Sequence, residues 1–228
     1  VWNGYTAAGK VVNDTPYSGG GAASGTQMGG ARIGTALDLT GKVTTLGNKQ
    51  SSYGTTDGVD ALYNNPWGVT TDGVNLYIAD NGNYRIRKMM ISTRVVSTLV
   101  GSTRGLTDGA SNVALFDSPK GITTDGTYLY VTEPDASPAK IRQITIATGE
   151  VTTLNTGGNS SLLNLRPSIT TDGNQLFVIL NRQIYKVDKT GGAPVLLAGS
   201  ATSGSADGTG ASASFYAPAG LATDGTYV

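Results

Sequence analysis

The sequence predicts an all-β fold built by radial repetition of small antiparallel sheets, a β-propeller. Two observations carry that prediction. One phrase occurs four times, as Pro66-Trp67-Gly68-Val69-Thr70-Thr71-Asp72-Gly73, Pro119-Lys120-Gly121-Ile122-Thr123-Thr124-Asp125-Gly126, Pro167-Ser168-Ile169-Thr170-Thr171-Asp172-Gly173 and Pro218-Ala219-Gly220-Leu221-Ala222-Thr223-Asp224-Gly225. The copies recur about every fifty residues, a period typical of propeller blades. Between them, short apolar runs alternate with a period of two, and no long stretch shows a helical period.

Residues 1–31 precede the repeats and are rich in Gly, Ala and Ser, with Gly19-Gly20-Gly21 and Gly29-Gly30 as breakers. They read either as a flexible leader or as an arm held by the body or by another copy of the chain. Residues 32–228 form the repeat region, which starts in mid-unit. Arg32-Ile33 and Thr40-Gly41-Lys42-Val43-Thr44-Thr45-Leu46 match Lys140-Ile141 and Thr148-Gly149-Glu150-Val151-Thr152-Thr153-Leu154. Both pairs read as a third and a fourth strand joined by a tight turn, where Gly supplies positive φ.

Each full copy has four strand candidates. The first is the Val-Thr-Thr type of run ending at Asp-Gly, a hairpin signal. The second is Asn75-Leu76-Tyr77-Ile78-Ala79, matched by Tyr128-Leu129-Tyr130-Val131 and Gln175-Leu176-Phe177-Val178-Ile179. Both of its faces are apolar or aromatic, so it is expected to be covered on both sides, as in a blade between two others. The third carries Arg85-Ile86-Arg87-Lys88, Lys140-Ile141-Arg142-Gln143 and Gln183-Ile184-Tyr185-Lys186, and the fourth is the Val-Thr-Thr-Leu type. Loops before three of the copies share a second pattern, Asp-Gly and then an aromatic: Asp57-Gly58 with Tyr63, Asp108-Gly109 with Phe116, Asp207-Gly208 with Phe215. The aromatic is expected to plug the loop onto the body.

Composition narrows the function. There are 16 basic and 16 acidic residues, so no net field attracts nucleic acid or an anionic membrane. Cys and His are absent, which removes disulfides, thiolate metal sites and the commonest general base. No apolar run is long enough for a transmembrane helix. The first residue is Val and no signal peptide is visible, so the chain is expected to be processed, excised or incomplete. A low charge fraction with abundant Gly, Thr, Ser and Asn suits a secreted or cell-surface β-protein.

Taken together, Pro-x-Gly-Val/Ile-Thr-Thr-Asp-Gly, the Leu76-Tyr77-Ile78-Ala79-Asp80 strand, Asn83 and Ile86-Arg87-Lys88 resemble the NHL-repeat β-propeller family. The resemblance covers residues 32–228 and implies the fold. It leaves function open among binding platforms, assembly parts and enzymes. The chain departs from the pattern where Ala79-Asp80 becomes Thr132-Glu133 and then Ile179-Leu180, and where the third-strand Arg becomes Tyr185. Asp80 with Arg87, and Glu133 with Arg142, read as structural ion pairs between neighbouring strands. Three closures are compatible with the repeats. They are a four-bladed ring completed by both chain ends, part of a larger ring, and a blade completed by another subunit.

Enzymes on related propellers, the sugar-lactone hydrolases, hold a metal on Glu, Asn and Asp, but here the only Glu residues are Glu133 and Glu150. Histidine-held metals of the amidating-lyase type cannot be built. The Asp-Gly steps at Asp72-Gly73, Asp125-Gly126, Asp172-Gly173 and Asp224-Gly225 read as structural turns, as do Asp57, Asp108 and Asp207. Calcium is the one cation considered, at Asp57-Gly58-Val59-Asp60, but no calcium-loop spacing is complete, and no cofactor is expected. The basic cluster Arg85, Arg87 and Lys88 is split between two strand faces, against nucleic-acid binding. Trp2, Tyr5, Tyr17, Tyr53 and Trp67 lie in loop-like or terminal stretches and are the candidate interface residues. The expectation is a non-catalytic extracellular binding or assembly module that self-associates through its arm and incomplete last blade. The alternatives are a metal-dependent hydrolase of the lactonase type and a carbohydrate- or protein-binding surface.

Overall fold

A computed structural model describes residues 53–157, 162 and 164–228, together with the backbone of two paired strands, β1 (Gly4–Tyr5) and β2 (Val11–Val12). Residues 1–46 and 47–228 form separate compact units. The third and fourth strands expected from Arg32 to Leu46, with Trp2 and Tyr17, lie outside the described residues.

The second unit holds three antiparallel sheets of four strands each, every one a meander in chain order. The first contains β3 (Pro66–Thr71), β4 (Asn75–Asp80), β5 (Arg85–Met90) and β6 (Val96–Val100). The second contains β7 (Ile122–Thr124), β8 (Tyr128–Glu133), β9 (Lys140–Thr145) and β10 (Val151–Thr153). The third contains β11 (Leu165–Thr171), β12 (Gln175–Leu180), β13 (Gln183–Asp188) and β14 (Val195–Ala198). These are blades of a propeller, and their first hairpins share one register: Thr70 faces Tyr77, Thr123 faces Tyr130, and Thr170 faces Phe177.

The register follows from the turn. In the first copy Asp72 Oδ1 accepts from the Val74 and Asn75 N–H groups at 2.8 and 2.6 Å, and Thr71 Oγ1 donates to Asn75 O at 2.8 Å. Gly73 completes it at φ +86°, a conformation that L side chains rarely adopt. Asp125, Asp172 and Asp224 accept the same pair of N–H groups, at 2.7–3.0 Å. The fourth copy departs from the expected first strand: Leu221, Ala222 and Thr223 join no ladder. The turn forms there all the same, so it is local chemistry that does not wait for the sheet.

The blades stack face to face. Tyr77 and Ala79 of β4 share a buried cluster with Leu129 and Val131 of β8, whereas Tyr130 on the opposite face of β8 packs with Leu176 and Val178 of β12. The middle blade is therefore covered on both faces, as its alternation requires. Fully burying one such side chain stabilises by roughly 1.5–3 kcal/mol.

The first strands of successive blades lie side by side, and glycine sets how close they come. A Cβ on Gly68 would sit 2.4 Å from Lys120 O, and one on Gly121 only 1.6 Å from Pro167 O. Gly126, at φ +88°, has nothing within 4 Å of an added Cβ. Gly126→Ala is therefore expected to lose about 1 kcal/mol through backbone strain alone. Gly121→Ala must push two blades apart and is expected to lose several times that. Urea midpoints measured on the two variants check the order, and equal midpoints would contradict this account of the blade contact.

Candidate functional site

In each of the first two blades one arginine and two carboxylates form a latch around a buried guanidinium. In the first blade the Arg87 guanidinium is fully buried. Its Nη1 donates to Asp80 Oδ2 and Leu62 O, both at 2.9 Å, and its Nη2 to Asp57 Oδ1 at 2.6 Å and Thr56 O at 2.8 Å. Arg142 repeats the arrangement with Glu133 Oε2 at 2.7 Å, Leu115 O at 2.9 Å, Asp108 Oδ1 at 2.8 Å and Thr107 O at 2.9 Å. Each guanidinium also lies over the ring of the loop aromatic, 5.2 Å from Tyr63 and 5.0 Å from Phe116.

Asp57 and Asp108 thus do more than turn the chain. Their second oxygens accept from the Thr98 and Thr153 N–H groups at 3.0 and 2.9 Å. Beside them Gly58 and Gly109 pair with Val96 and Val151, covering the outer edge of each sheet. Sequence reasoning missed this role because the same Asp-Gly dipeptide also makes the hairpins.

Glu133 is held inside this latch. Its Oε1 accepts from the Asp117 N–H and its Oε2 from Arg142, so both oxygens are engaged by protein donors. Burial pushes its carboxyl up to about 7, against the lowering pull of Arg142 and the Asp117 N–H. At the hairpins the balance is reversed. Burial raises the Asp72 carboxyl, but the Asn75 side chain, the Asn75 and Val74 N–H groups and the Tyr77 hydroxyl outweigh it and bring it to about 2. Asp125 is also lowered: burial raises it, and Lys189 Nζ at 2.6 Å with two N–H groups prevails. Lys189 donates as well to Gly173 O at 2.6 Å, bracing the second blade against the third. Among the described residues no three His, Cys, Asp or Glu side chains converge on one point.

A cleft of about 470 Å³ opens where the first strands meet. The position after the repeat proline, which differs in every copy, lines it in all four: Trp67, Lys120, Ser168 and Ala219. A register shift between Pro66 and Val69 falls at Trp67-Gly68, and Trp67 remains 53% exposed. Lys120 Nζ stands 4.6 Å from the Trp67 ring centroid and 2.8 Å from Asp135 Oδ2. Arg166 joins the lining from the strand residue before Pro167, exposed and without an ion-pair partner among the described residues.

Of the two candidate interface residues described in the second unit, Trp67 lines this cleft. Tyr53 is 78% exposed in the loop before the first blade, and Tyr5 lies in β1. Sequence reasoning did not select Lys120 or Arg166. Their signal was present in the flanks of the repeat proline, where the phrase stops being constant.

No protein-family model matches the chain. NHL repeat-containing protein 2 of Gallus gallus is 34% identical over 91 residues, which is 39% of this chain and 12% of that protein's length. Over those residues the repeats are similar to NHL repeats. Among solved structures, the nidogen/laminin complex aligns with a TM-score of 0.46 at 18% identity, over 58% of this chain and 48% of that one. Kuenenia stuttgartiensis hydrazine synthase aligns with a TM-score of 0.45 at 17% identity, over 75% and 41%. The chain thus spans only part of each protein it resembles. The fold assignment rests on the three sheets and their shared register.

Two outcomes test the latch. Arg142→Met leaves Glu133 buried without its cation and is expected to lose about 3–5 kcal/mol of stability, read from urea unfolding. The raised Glu133 pKa makes the folded state bind the extra proton. Stability from this group is full below about pH 4.5 and falls as pH rises toward about 7. Glu133→Gln is expected to flatten that fall; an unchanged pH profile would show that Glu133 does not titrate in this window.

Proposed function

We propose that this chain is a non-catalytic binding and assembly module that works outside the cell and presents the inner cleft of an NHL-type propeller to its ligand. One observation carries the reading. The variable position of a repeated phrase, occupied by Trp67, Lys120, Ser168 and Ala219, converges on one cleft. The hairpin Thr-Asp-Gly recurs in all four copies, whereas the residue after the proline differs in each, which is how a repeated frame acquires a specific surface. The half-exposed indole of Trp67 and the exposed guanidinium of Arg166 are residue types enriched where binding energy concentrates.

Extracellular placement draws on composition, with few charges and many Gly, Thr, Ser and Asn residues. Self-association through residues 1–31 draws on Trp2, Tyr5 and Tyr17 in that Gly-rich stretch. The name of one solved neighbour records a protein complex, nidogen with laminin, and a protein partner is the corresponding proposal here. No helix among the described residues is long and apolar enough to cross a membrane.

The experiment has two readouts. On arrays of immobilised glycans and peptides, the full chain is expected to give ligands that Trp67→Ala/Lys120→Ala/Arg166→Ala loses. Ligands insensitive to that triple change would remove the cleft from the reading. In sedimentation velocity from about 1 to 100 μM, a span bracketing modest association energies, the full chain is expected to self-associate and Trp2→Ala/Tyr5→Ala/Tyr17→Ala to stay monomeric. A monomer throughout would end the assembly proposal.

A further inference from the structure

We infer that the inner cleft binds a single carboxylate carried on an apolar body, an inference that rests on reading the cleft as a binding site. Three features of the lining point to that chemistry. Among the described residues its only charged side chains are Lys120 and Arg166, supplied by two different blades, and none of those lining it is acidic. Lys120 is already paired with Asp135 at 2.8 Å, so the excess amounts to one positive charge, on Arg166. One surplus charge matches a monoanion, not a phosphate dianion.

The backbone donors agree. The Gly121 N–H is taken by Thr132 Oγ1 at 2.9 Å, the Lys120 N–H by Thr132 O, and Ser168 Oγ already accepts from the Leu221 N–H at 2.8 Å. No row of free N–H groups of the kind that cradles phosphates is presented by these residues. An exposed guanidinium instead offers a planar fork that fits a carboxylate through two parallel hydrogen bonds.

The remainder of the lining is apolar. Trp67, Val69, Ile122 and Ile169 surround the space, and its volume of about 470 Å³ suits a compact ring or side chain. A polyhydroxylated sugar would find few hydrogen-bond partners there, because the polar groups named above are engaged. The Trp67 ring, carrying Lys120 at 4.6 Å, supplies a flat surface beside the charge. Such a carboxylate belongs either to a free small acid or to the end of a peptide, and the two are separated by the probes below.

Trp67 reports directly on occupancy once the other tryptophan, Trp2, is changed. In the full chain bearing Trp2→Phe, emission is titrated with phenylacetate, with N-acetylphenylalanine and with phenylacetamide, the neutral isostere of the first. Saturable change is expected with the two acids and not with the amide. It should weaken about tenfold in Arg166→Gln, as loss of one charged hydrogen-bonding partner predicts, and also on raising salt from about 0.02 to 0.5 M. Tighter binding of N-acetylphenylalanine assigns a peptide end, and tighter binding of phenylacetate a small acid. Arg166 is exposed, so an unchanged urea midpoint for Arg166→Gln confirms that its effect is on binding. Equal response to phenylacetamide, or no response to either acid, overturns the inference. If array ligands sensitive to the cleft substitutions are found in that case, the binding reading survives without it.

Discussion

A buried guanidinium needs acceptors, and meeting that need at Nη1 and Nη2 organises the first two blades, although the Nε of both arginines has no partner. Arg87 and Arg142 each gather two carboxylates and two backbone carbonyls drawn from two separate stretches of chain. One stretch is the loop before the blade and the other is the end of the second strand. Because the loop's carboxylate also holds the fourth strand through Thr98 or Thr153, a single buried cation ties both ends of the repeat. The repeat proline that follows the loop, and hence the first strand, starts from a fixed place. The cleft inherits its shape from that chain of constraints.

Much of this could be read from the sequence, and the reason is locality. The Asp-Gly hairpins depend on residues two or three positions apart, so Asp72, Asp125, Asp172 and Asp224 could be assigned without knowing the fold. The alternation of the second strand and the ion pairs of Arg87 and Arg142 with the neighbouring strand end were legible for the same reason. The partnerships of Asp57 and Asp108 were not. Each lies about thirty residues before its arginine, and the dipeptide Asp-Gly carries no mark that distinguishes a hairpin from a latch. The first strand expected in the fourth copy failed for a related reason, since strand pairing is non-local and Leu221 found only Ser168 Oγ.

The cleft was legible only in part. Trp67 stood out as an aromatic in an unusual place, but Lys120 and Arg166 are ordinary cations until three blades converge. Constancy and variation divide the phrase between two tasks. Thr-Asp-Gly builds the hairpin and is the same in all four copies, while the residue after proline differs in each. A repeat protein therefore displays its specificity at the positions where its own pattern fails.

The third blade shows what happens when the latch is dropped. Its second strand ends in Leu180, its third carries Tyr185, and the loop from Asn155 to Leu165 contains no Asp. Leu180 is buried and Tyr185 packs on the same apolar cluster, its hydroxyl donating to Gln183 Oε1 at 3.1 Å. All the charged members are gone together, and a well-packed apolar set can replace a buried ion pair with little net change in stability. Removing the arginine alone would strand the fully buried carboxylate at the end of the second strand. The blade thus has two self-consistent solutions, charged and apolar, separated by intermediates that are worse than either. Divergence between tandem copies has to move these distant positions as one block, and a substitution tolerated in one repeat is ruinous at the equivalent position of the next.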